Sequence, residues 1–136
     1  MSDNGRLEID TRELEAAFMR LTAGVKGEAL RRAALAGALP IENEWKDLTL
    51  EDPTTYKTGT YRRSVHREVV GESDAAVDVA VGTDITDPPY PLFLEFGTSR
   101  MAARPKARPA YESKRKEAEK ETQLAFAELI LKAAQG

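Results

Sequence analysis

Few residues of this chain have side chains suited to catalysis. Its 136 residues include one histidine, His66, and no cysteine. Nucleophilic triads that combine a histidine with a cysteine are therefore excluded, and one that uses serine would depend on His66. His66 lies in a stretch where apolar and polar residues alternate, which is typical of a half-buried β-strand. We interpret it as a solvent-facing or sheet-edge histidine, and we predict no catalytic residue and no enzymatic activity.

Binding sites for metals and nucleotides have equally little support. Asp84, Asp87 and Glu95 could in principle hold a divalent cation, but their spacing matches no standard calcium or magnesium loop. The phosphate-binding patterns GxxxxGK[ST] and GxGxxG do not occur in the sequence. We therefore predict neither a metal nor a cofactor.

Positive charge is concentrated in one segment, from Arg100 to Lys120. It holds eight lysines and arginines against three glutamates, a balance of +5. Because the whole chain has a net charge of −3, the remaining residues together carry −8. Such a segment could contact DNA phosphates, although a net acidic chain is unlike a dedicated DNA-binding domain. The alternative is that part of this charge solvates one face of a helix.

Two helices are predicted in the N-terminal third. The first follows a capping box, Asp10 to Glu13, and is expected to end near Gly24 and Gly27. The second spans about 28–48, and Pro40 inside it predicts a kink or two abutting helices. The alanine- and glycine-rich stretch before Pro40 would let another backbone approach closely. Ahead of these helices, the alternating residues 5–9 suggest a short strand.

The middle of the chain has the pattern of a β-hairpin between two loops. In the first strand Val65, Arg67 and Val69 alternate with His66, Glu68 and Val70. After the turn residues Gly71 to Asp74, the segment 75–81 returns with its three valines on one face. Residues 50–60 are predicted to be a loop. Pro91 to Phe96 fits either a short helix or a strand, and Pro109 suits the first turn of a last helix that extends to about Ala134.

These elements predict one α+β domain. A small antiparallel sheet, the hairpin at about 64–81 plus one or two short strands, packs against the N-terminal helices and a long C-terminal helix. The single domain, 1–136, comprises N-terminal helices at about 11–48, the sheet and motif region at about 58–108, and the C-terminal helix at about 109–134. The start of the sequence has no basic-then-apolar signal pattern, and no apolar run could cross a bilayer, so we expect a protein made in the cytoplasm without a membrane partner.

Several short motifs in this middle region resemble those of a known family. They are YPLFLEFGT at 90–98, MAARP at 101–105, RPA at 108–110 and TGTYRRSV at 58–65. In this combination and order they resemble the HK97 gp10-like family, small head–tail joining and tail-completion proteins of tailed bacteriophages. One residue departs from the family pattern: Lys106 stands where an aromatic residue usually follows the proline.

The resemblance implies a structural virion protein of the phage neck, at the junction between head and tail and made in the bacterial host cytoplasm. Such a protein would act as one subunit of a homo-oligomeric ring, for which the family favours a hexamer. Its partners would be neighbouring head-completion and tail proteins, and DNA would only pass through the channel. The alternatives are a tail terminator that caps the tail tube and, from a different class, a small DNA-binding accessory protein.

The residues expected to contact a neighbouring subunit or partner lie in and after the Glu-Phe-Gly-Thr motif. They are Glu95, Phe96, Gly97, Thr98, Arg100, Arg104, Lys106 and Arg108. Gly97 is expected to allow a sharp reversal with positive φ, and Thr98 and Ser99 to satisfy backbone groups around that turn. Glu95 is expected to pair with Arg100, with Arg104 or with a cation of the next subunit. Alternatively, the motif could be an internal corner that clamps the last helix onto the sheet.

Overall fold

The computed structural model describes residues 11–52, 59–73, 76–86 and 88–135. These ranges contain five helices and one two-stranded antiparallel sheet, so the predicted α+β class is confirmed. In chain order the elements are α1 (Thr11–Met19), α2 (Ala23–Glu51), α3 (Thr60–Ser64), β1 (His66–Glu72), β2 (Val77–Gly82), α4 (Tyr90–Phe96) and α5 (Ala107–Gln135). No helix in these ranges is both long and apolar enough to cross a membrane.

The two longest helices, α2 and α5, form the frame of the molecule. They approach each other closely at Gly37, where a Cβ atom would lie 2.9 Å from the carbonyl oxygen of Ala118 and would overlap the side chain of Thr122. The predicted close approach of a second backbone to α2 is therefore confirmed. At one end of this pair α1 adds a small core, in which Ala17 and Ala29 pack against Ile130.

The predicted boundary between the first two helices was wrong. The first helix already ends at Met19, and α2 starts at Ala23, because Thr22 caps it by accepting a hydrogen bond from Val25 N at 3.3 Å. Gly24 and Gly27 therefore lie in the first turns of α2 and do not end α1. The predicted capping residue Asp10 and the strand at 5–9 lie outside the described residues.

A single helix, α2, runs through Pro40 and continues to Glu51, so the alternative of two abutting helices was wrong. The proline still removes one backbone hydrogen bond. On either side of it, however, Gly37 and Trp45 are buried, and this packing keeps the chain helical across the defect.

The hairpin pairs β1 with β2, with Val69 opposite Val79 and a bulge that leaves Val70 without a partner. Gly71 and Glu72, predicted as turn residues, instead extend β1, and a hydrogen bond from Ser73 N to the oxygen of Ala76 closes the turn at 2.8 Å. The bulge allows this extension because it restores the pairing after one extra residue. Apart from these strands, the described residues contain only an isolated bridge between residues 98 and 101.

An ion pair joins the inner face of the hairpin to α2. Arg67 lies on the same face as the half-buried Val69, with its Nε 2.6 Å from Oε1 of Glu42, a contact that lacks the direction of a hydrogen bond. Lys46 contacts the other oxygen of Glu42 at 2.9 Å, and Arg67 Nη1 donates to the carbonyl of Leu35 at 2.7 Å. Glu42 is 7% exposed, so the two cations compensate its buried charge.

The second core lies where α2, the hairpin and α5 meet. It includes Trp45, Tyr61, Val65 and Ala110, and the indole N–H of Trp45 donates to the hydroxyl of Tyr61 at 3.0 Å. Burial raises the pKa of Tyr61 to about 12. Tyr61 belongs to α3, which was not predicted because five residues are too few to show a helical period. This core supports α4, the helix that carries the family-like motif.

Candidate protein-interaction site

The motif at 90–98 forms α4 and its C-terminal turn, so the helical alternative for this stretch is confirmed. One side of the helix faces the molecule: Pro91 is buried and Leu94 packs against the core around Trp45. The opposite side carries Leu92 and Phe96, which are 55% and 67% exposed. A short helix is thus held by one side and presents large apolar side chains on the other.

Gly97 ends α4 with φ at 78°, which confirms the expected positive φ. Its N–H donates to the carbonyl of Phe93 at 2.7 Å. A Cβ atom at Gly97 would lie 2.9 Å from Ala103 N and 3.0 Å from the oxygen of Met101. Both the backbone conformation and the close approach of the following chain therefore require glycine here.

The chain after Gly97 turns tightly and returns to α4. Thr98 and Met101 exchange backbone hydrogen bonds of 2.8 and 3.3 Å, and the Thr98 hydroxyl accepts from Arg100 N at 3.2 Å. The predicted role of the Thr98 side chain in this turn is thereby confirmed. Arg104 N then donates to the carbonyl of Leu94 at 2.6 Å, which anchors the connector to α4.

The Glu95 carboxylate caps the first turn of α5. It accepts hydrogen bonds from the backbone N–H groups of Lys106, Ala107 and Arg108, each at 2.9 Å. These donors have no partner within their own helix, and the positive end of the helix dipole favours a negative charge at this place. The predicted pairing of Glu95 with Arg100 or Arg104 was wrong, since its carboxylate binds the backbone and clamps α4 to α5.

A second clamp ties the connector to the end of α2. Asp52 contacts Lys106 Nζ at 3.0 Å and Arg104 Nη1 at 3.4 Å. Lys106 is 8% exposed, so this residue, proposed from the sequence as an interface contact, is used within the chain. Asp52 was not predicted as a site residue, and no local pattern reveals it because 54 positions separate it from Lys106.

Four large apolar side chains of α4 and of the turn after it are exposed, and we call them together the α4 surface. It consists of Leu92, Phe93, Phe96 and Met101. Only Phe96 among them was predicted as an interface residue. The sequence offered little indication that the other three side chains would be exposed. In a helix of seven residues, the elements packed against it decide which side faces the core.

An apolar recess of about 360 Å³ adjoins this surface. Its lining includes Leu92 and Phe96 from α4, Trp45 from α2 and Ile85 from the loop after β2. A recess of this size takes one or two large side chains of a partner, the arrangement found at the energetic centre of many protein interfaces. The recess has few polar groups in its lining, namely the hydroxyl groups of Thr83 and Thr86 and the carboxylate of Glu95.

The positive segment is less uniform in space than in sequence. Arg104 and Lys106 contact Asp52, and Lys114 lies 3.6 Å from Glu117. Arg115, Lys116 and Lys120 are exposed, as are Glu112 and Glu119 between them. The interpretation that part of this charge solvates a helix face therefore fits the middle of α5. Arg100 and Arg108 are exposed beside the α4 surface and form no ion pair within the described residues.

His66 lies at the start of β1 with one side exposed, as its pattern predicted. Its ring contacts the carbonyl of Ser64 at 2.8 Å and Oε1 of Glu68 at 3.0 Å. Hydrogen bonding to Ser64 and then to Glu68 raises the pKa of His66. Of the three carboxylates considered for a cation, Glu95 is used in the α5 cap, Asp84 lies in the recess beside His66, and Asp87 is outside the described residues.

These contacts make the motif region a fixed corner that displays an apolar surface. Gly97, Glu95 and Asp52 hold the corner, whereas the side chains of Phe96, Thr98, Arg100 and Arg108 are exposed. No protein-family model, curated protein or solved structure matches the chain.

Proposed function

We propose that this chain is a structural subunit of a bacteriophage neck, which joins a filled head to a tail as part of a homo-oligomeric ring. The observation that carries the proposal is the rigidly mounted α4 surface, formed by the same residues whose motifs resemble head–tail joining proteins. The proposed binding residues are Phe96, Thr98, Arg100 and Arg108, together with Leu92 and Met101. Glu95, Gly97, Arg104 and Lys106 hold this surface in place.

The exposed apolar area supports a role in assembly. Leu92 and Phe96 are more than half exposed and lie one helical turn apart on the same short helix. Contiguous apolar patches on small proteins usually mark interaction sites. Phe93 and Met101, 40% and 37% exposed, add to the exposed apolar area.

The clamps around α4 support an assembly role because they fix the surface before any partner binds. Gly97 and the Glu95 cap set the angle between α4 and α5, and Asp52 holds the connector from the other side. A surface held in its bound shape loses little conformational entropy on docking. Fast and specific assembly of a virion benefits from such preorganised contacts.

The distribution of cations favours a protein partner over DNA. Arg104 and Lys106 are turned toward Asp52, and glutamates interrupt the cations along the exposed face of α5. A phosphate backbone would therefore meet alternating charges there rather than a continuous positive strip. The tail-terminator role uses the same surfaces and remains the nearest alternative, since both roles need a ring that binds a tail end.

Genetic complementation tests the proposal. Under it, the coding sequence lies in a tailed phage or prophage, and its deletion leaves DNA-filled heads and separate tails in electron micrographs. The wild-type chain supplied from a plasmid restores joined particles, whereas the Leu92→Ser/Phe96→Ser chain does not. Leu39→Ser, which removes a leucine of α2 that is 38% exposed, serves as the matched control and restores joining.

Three results would contradict the proposal. The first is a normal yield of infectious particles from the deletion strain. The second is accumulation of tails of irregular length, which indicates a tail terminator. The third is a salt-dependent mobility shift of DNA by the purified chain at near-physiological ionic strength, which would favour the DNA-binding alternative.

A further inference from the structure

We infer that the α4 surface of one copy of this chain docks on the outer face of the β-hairpin of a second copy. The inference rests on the proposed function, because a ring of identical subunits needs two different surfaces that fit each other head to tail. The chain offers two such surfaces, one apolar with a positive rim and one negative with an apolar centre.

The outer face of the hairpin is acidic. Glu68, Glu72 and Asp78 point outward from β1 and β2, and no lysine or arginine does so within these two strands. Of these, Glu72 is paired with Arg31 of α2 at 2.8 Å, whereas Glu68 contacts the ring of His66 at 3.0 Å. With them lies Asp84, in the loop after β2.

A recess of about 200 Å³ on this face could receive a guanidinium group. It is lined by Glu68 and Asp84, together with His66, Ala80, Gly82 and Thr83. The imidazole of His66 contacts Glu68 at 3.0 Å and forms part of the wall of this recess. The volume and the two carboxylates suit an arginine side chain of a neighbour.

The α4 surface carries the complementary charges. Arg100 lies in the turn that follows Phe96, and Arg108 lies in the first turn of α5, directly after the recess residue Ala107. Both are exposed, and neither forms an ion pair within the described residues. Two unpaired arginines beside an apolar patch fit a partner that brings carboxylates around an apolar centre.

Val70 supplies that apolar centre. The bulge in β1 leaves it without a partner residue on β2, and it is 58% exposed among the acidic residues of the outer face. The 360 Å³ recess beside Leu92 and Phe96 has room for an aliphatic side chain of this size. Burial of Val70 there would remove apolar surface from water on both copies.

A contact between the same surface of two copies is less favourable than this head-to-tail contact. An α4 surface against another α4 surface would bring Arg100 and Arg108 close to the same arginines. A hairpin against another hairpin would bring together Glu68, Asp78 and Asp84. Like charges in an interface cost binding energy, whereas the unequal pairing places opposite charges together.

Charge exchange provides the first test. Sedimentation velocity over a concentration series compares the wild type with R100E/R108E and with E68K/D84K, each alone and in an equimolar mixture. Each variant alone is expected to bind its own kind at least about tenfold more weakly than wild type. The mixture is expected to associate, because each variant keeps the surface that the other has lost. K116E/K120E, two reversals on the exposed face of α5, is the matched control and associates as wild type.

Cysteine cross-linking provides the second test, and the natural chain has no cysteine to interfere. Val70→Cys and Met101→Cys chains of different mass are mixed and treated with an added oxidant, which takes the two electrons released when the disulfide forms. The expected main product is the mixed dimer. Leu39→Cys replaces Met101→Cys in the control and should give little mixed product. Circular dichroism verifies that every variant keeps its helices.

Several outcomes would overturn the inference. One is a wild-type chain that stays monomeric up to about 1 mM, where even weak specific contacts become visible. Another is self-association of E68K/D84K, measured alone, with the same affinity as the wild type. A third is cross-linking that gives mainly dimers of two identical cysteine variants.

Failure of the inference can be told apart from failure of the proposed function. If E68K/D84K restores head–tail joining as well as wild type while Leu92→Ser/Phe96→Ser does not, the α4 surface binds a different protein and the neck function stands. If the charge exchange and the cross-link succeed but deletion of the gene leaves infectious particles unchanged, the copies bind each other as inferred and the neck function fails.

Discussion

Replacing Glu95 by alanine removes the acceptor of three backbone hydrogen bonds at the start of α5. In the folded protein the N–H groups of Lys106, Ala107 and Arg108 each donate to this carboxylate at 2.9 Å. Arg108 N can turn to water after the substitution, because it is exposed. The other two donors are partly buried and lose their partner in a place that water reaches less easily.

The expected cost follows from these contacts. Loss of a side chain that caps a helix costs about 0.5–2 kcal/mol, and hydrogen bonds to a charged group contribute about 1.5–3 kcal/mol each. These values are not additive, since one carboxylate makes all three contacts, so we expect Glu95→Ala to lower the free energy of unfolding by about 2–4 kcal/mol. Glu95→Gln keeps an amide oxygen as acceptor and should cost about half as much.

Fluorescence of Trp45 reports this loss directly. It is the single tryptophan, it is 8% exposed, and it lines the recess next to Glu95. Urea denaturation followed by its emission gives the free energy of unfolding, and the slope of the transition verifies that the unfolding reaction is unchanged. A chain of this size should also melt roughly 10 °C lower when it loses about 3 kcal/mol.

A matched control separates the cap from the loss of a charge. Glu112→Ala removes an exposed carboxylate from α5 and should change stability by no more than about 0.5 kcal/mol. If Glu95→Ala is as stable as Glu112→Ala, the carboxylate does not hold the start of α5. The account of the motif as a clamp between α4 and α5 would then be refuted.

Three further substitutions, one of them with a matched control, test other contacts of the structure. Gly37→Ala should destabilise the protein by about 1–3 kcal/mol because its methyl group meets Thr122 of α5, whereas Gly27→Ala, which has open space around it, should be neutral or stabilising in the same denaturation assay. Gly97→Ala should lower the free energy of unfolding by about 2 kcal/mol or more, because φ is 78° and the new Cβ atom would meet the backbone of the following turn. An unchanged melting temperature would contradict this. Absorbance titration should show one of the four tyrosines ionising near pH 12, and Tyr61→Phe should abolish that step. Because its pKa is raised on folding, Tyr61 contributes stability that is complete below pH 10 and is lost between about pH 10 and 12.

The boundaries of the N-terminal helices illustrate how far local patterns reach. Apolar spacing predicted two helices correctly, but the glycines were taken as the end of the first helix. Thr22 instead caps the second helix, and its carbonyl accepts the hydrogen bond of Lys26 N in the first turn. A glycine near a helix start costs little, since the first N–H groups have no helical partner in any case. Side-chain capping, and not the glycine, decided the boundary.

The hairpin illustrates the same limit at one residue. Alternation correctly placed Arg67 on the face shared with Val69, but a charge on an inner face has no explanation within the strand. Its partners, Glu42 and the carbonyl of Leu35, are on α2 and come close only when the sheet packs on that helix. The sequence pattern predicted the position of Arg67, and the tertiary contact explained its charge.

Sequence alone determined those features that depend on neighbours along the chain. The α+β class, the hairpin, the last helix near Pro109 and the reversal at Gly97 all follow from short-range periodicity and backbone sterics. Such preferences act within a few residues, so a linear pattern records them.

Only the tertiary structure decided what the charged residues of the motif do. Glu95 binds the start of α5, and Lys106 binds Asp52, although both were predicted to face another subunit. Their partners lie 11 to 54 positions away, and a residue's type does not reveal which distant group will meet it. The same packing turned Leu92 and Phe96 outward, because the core around Trp45 could accept only one side of α4.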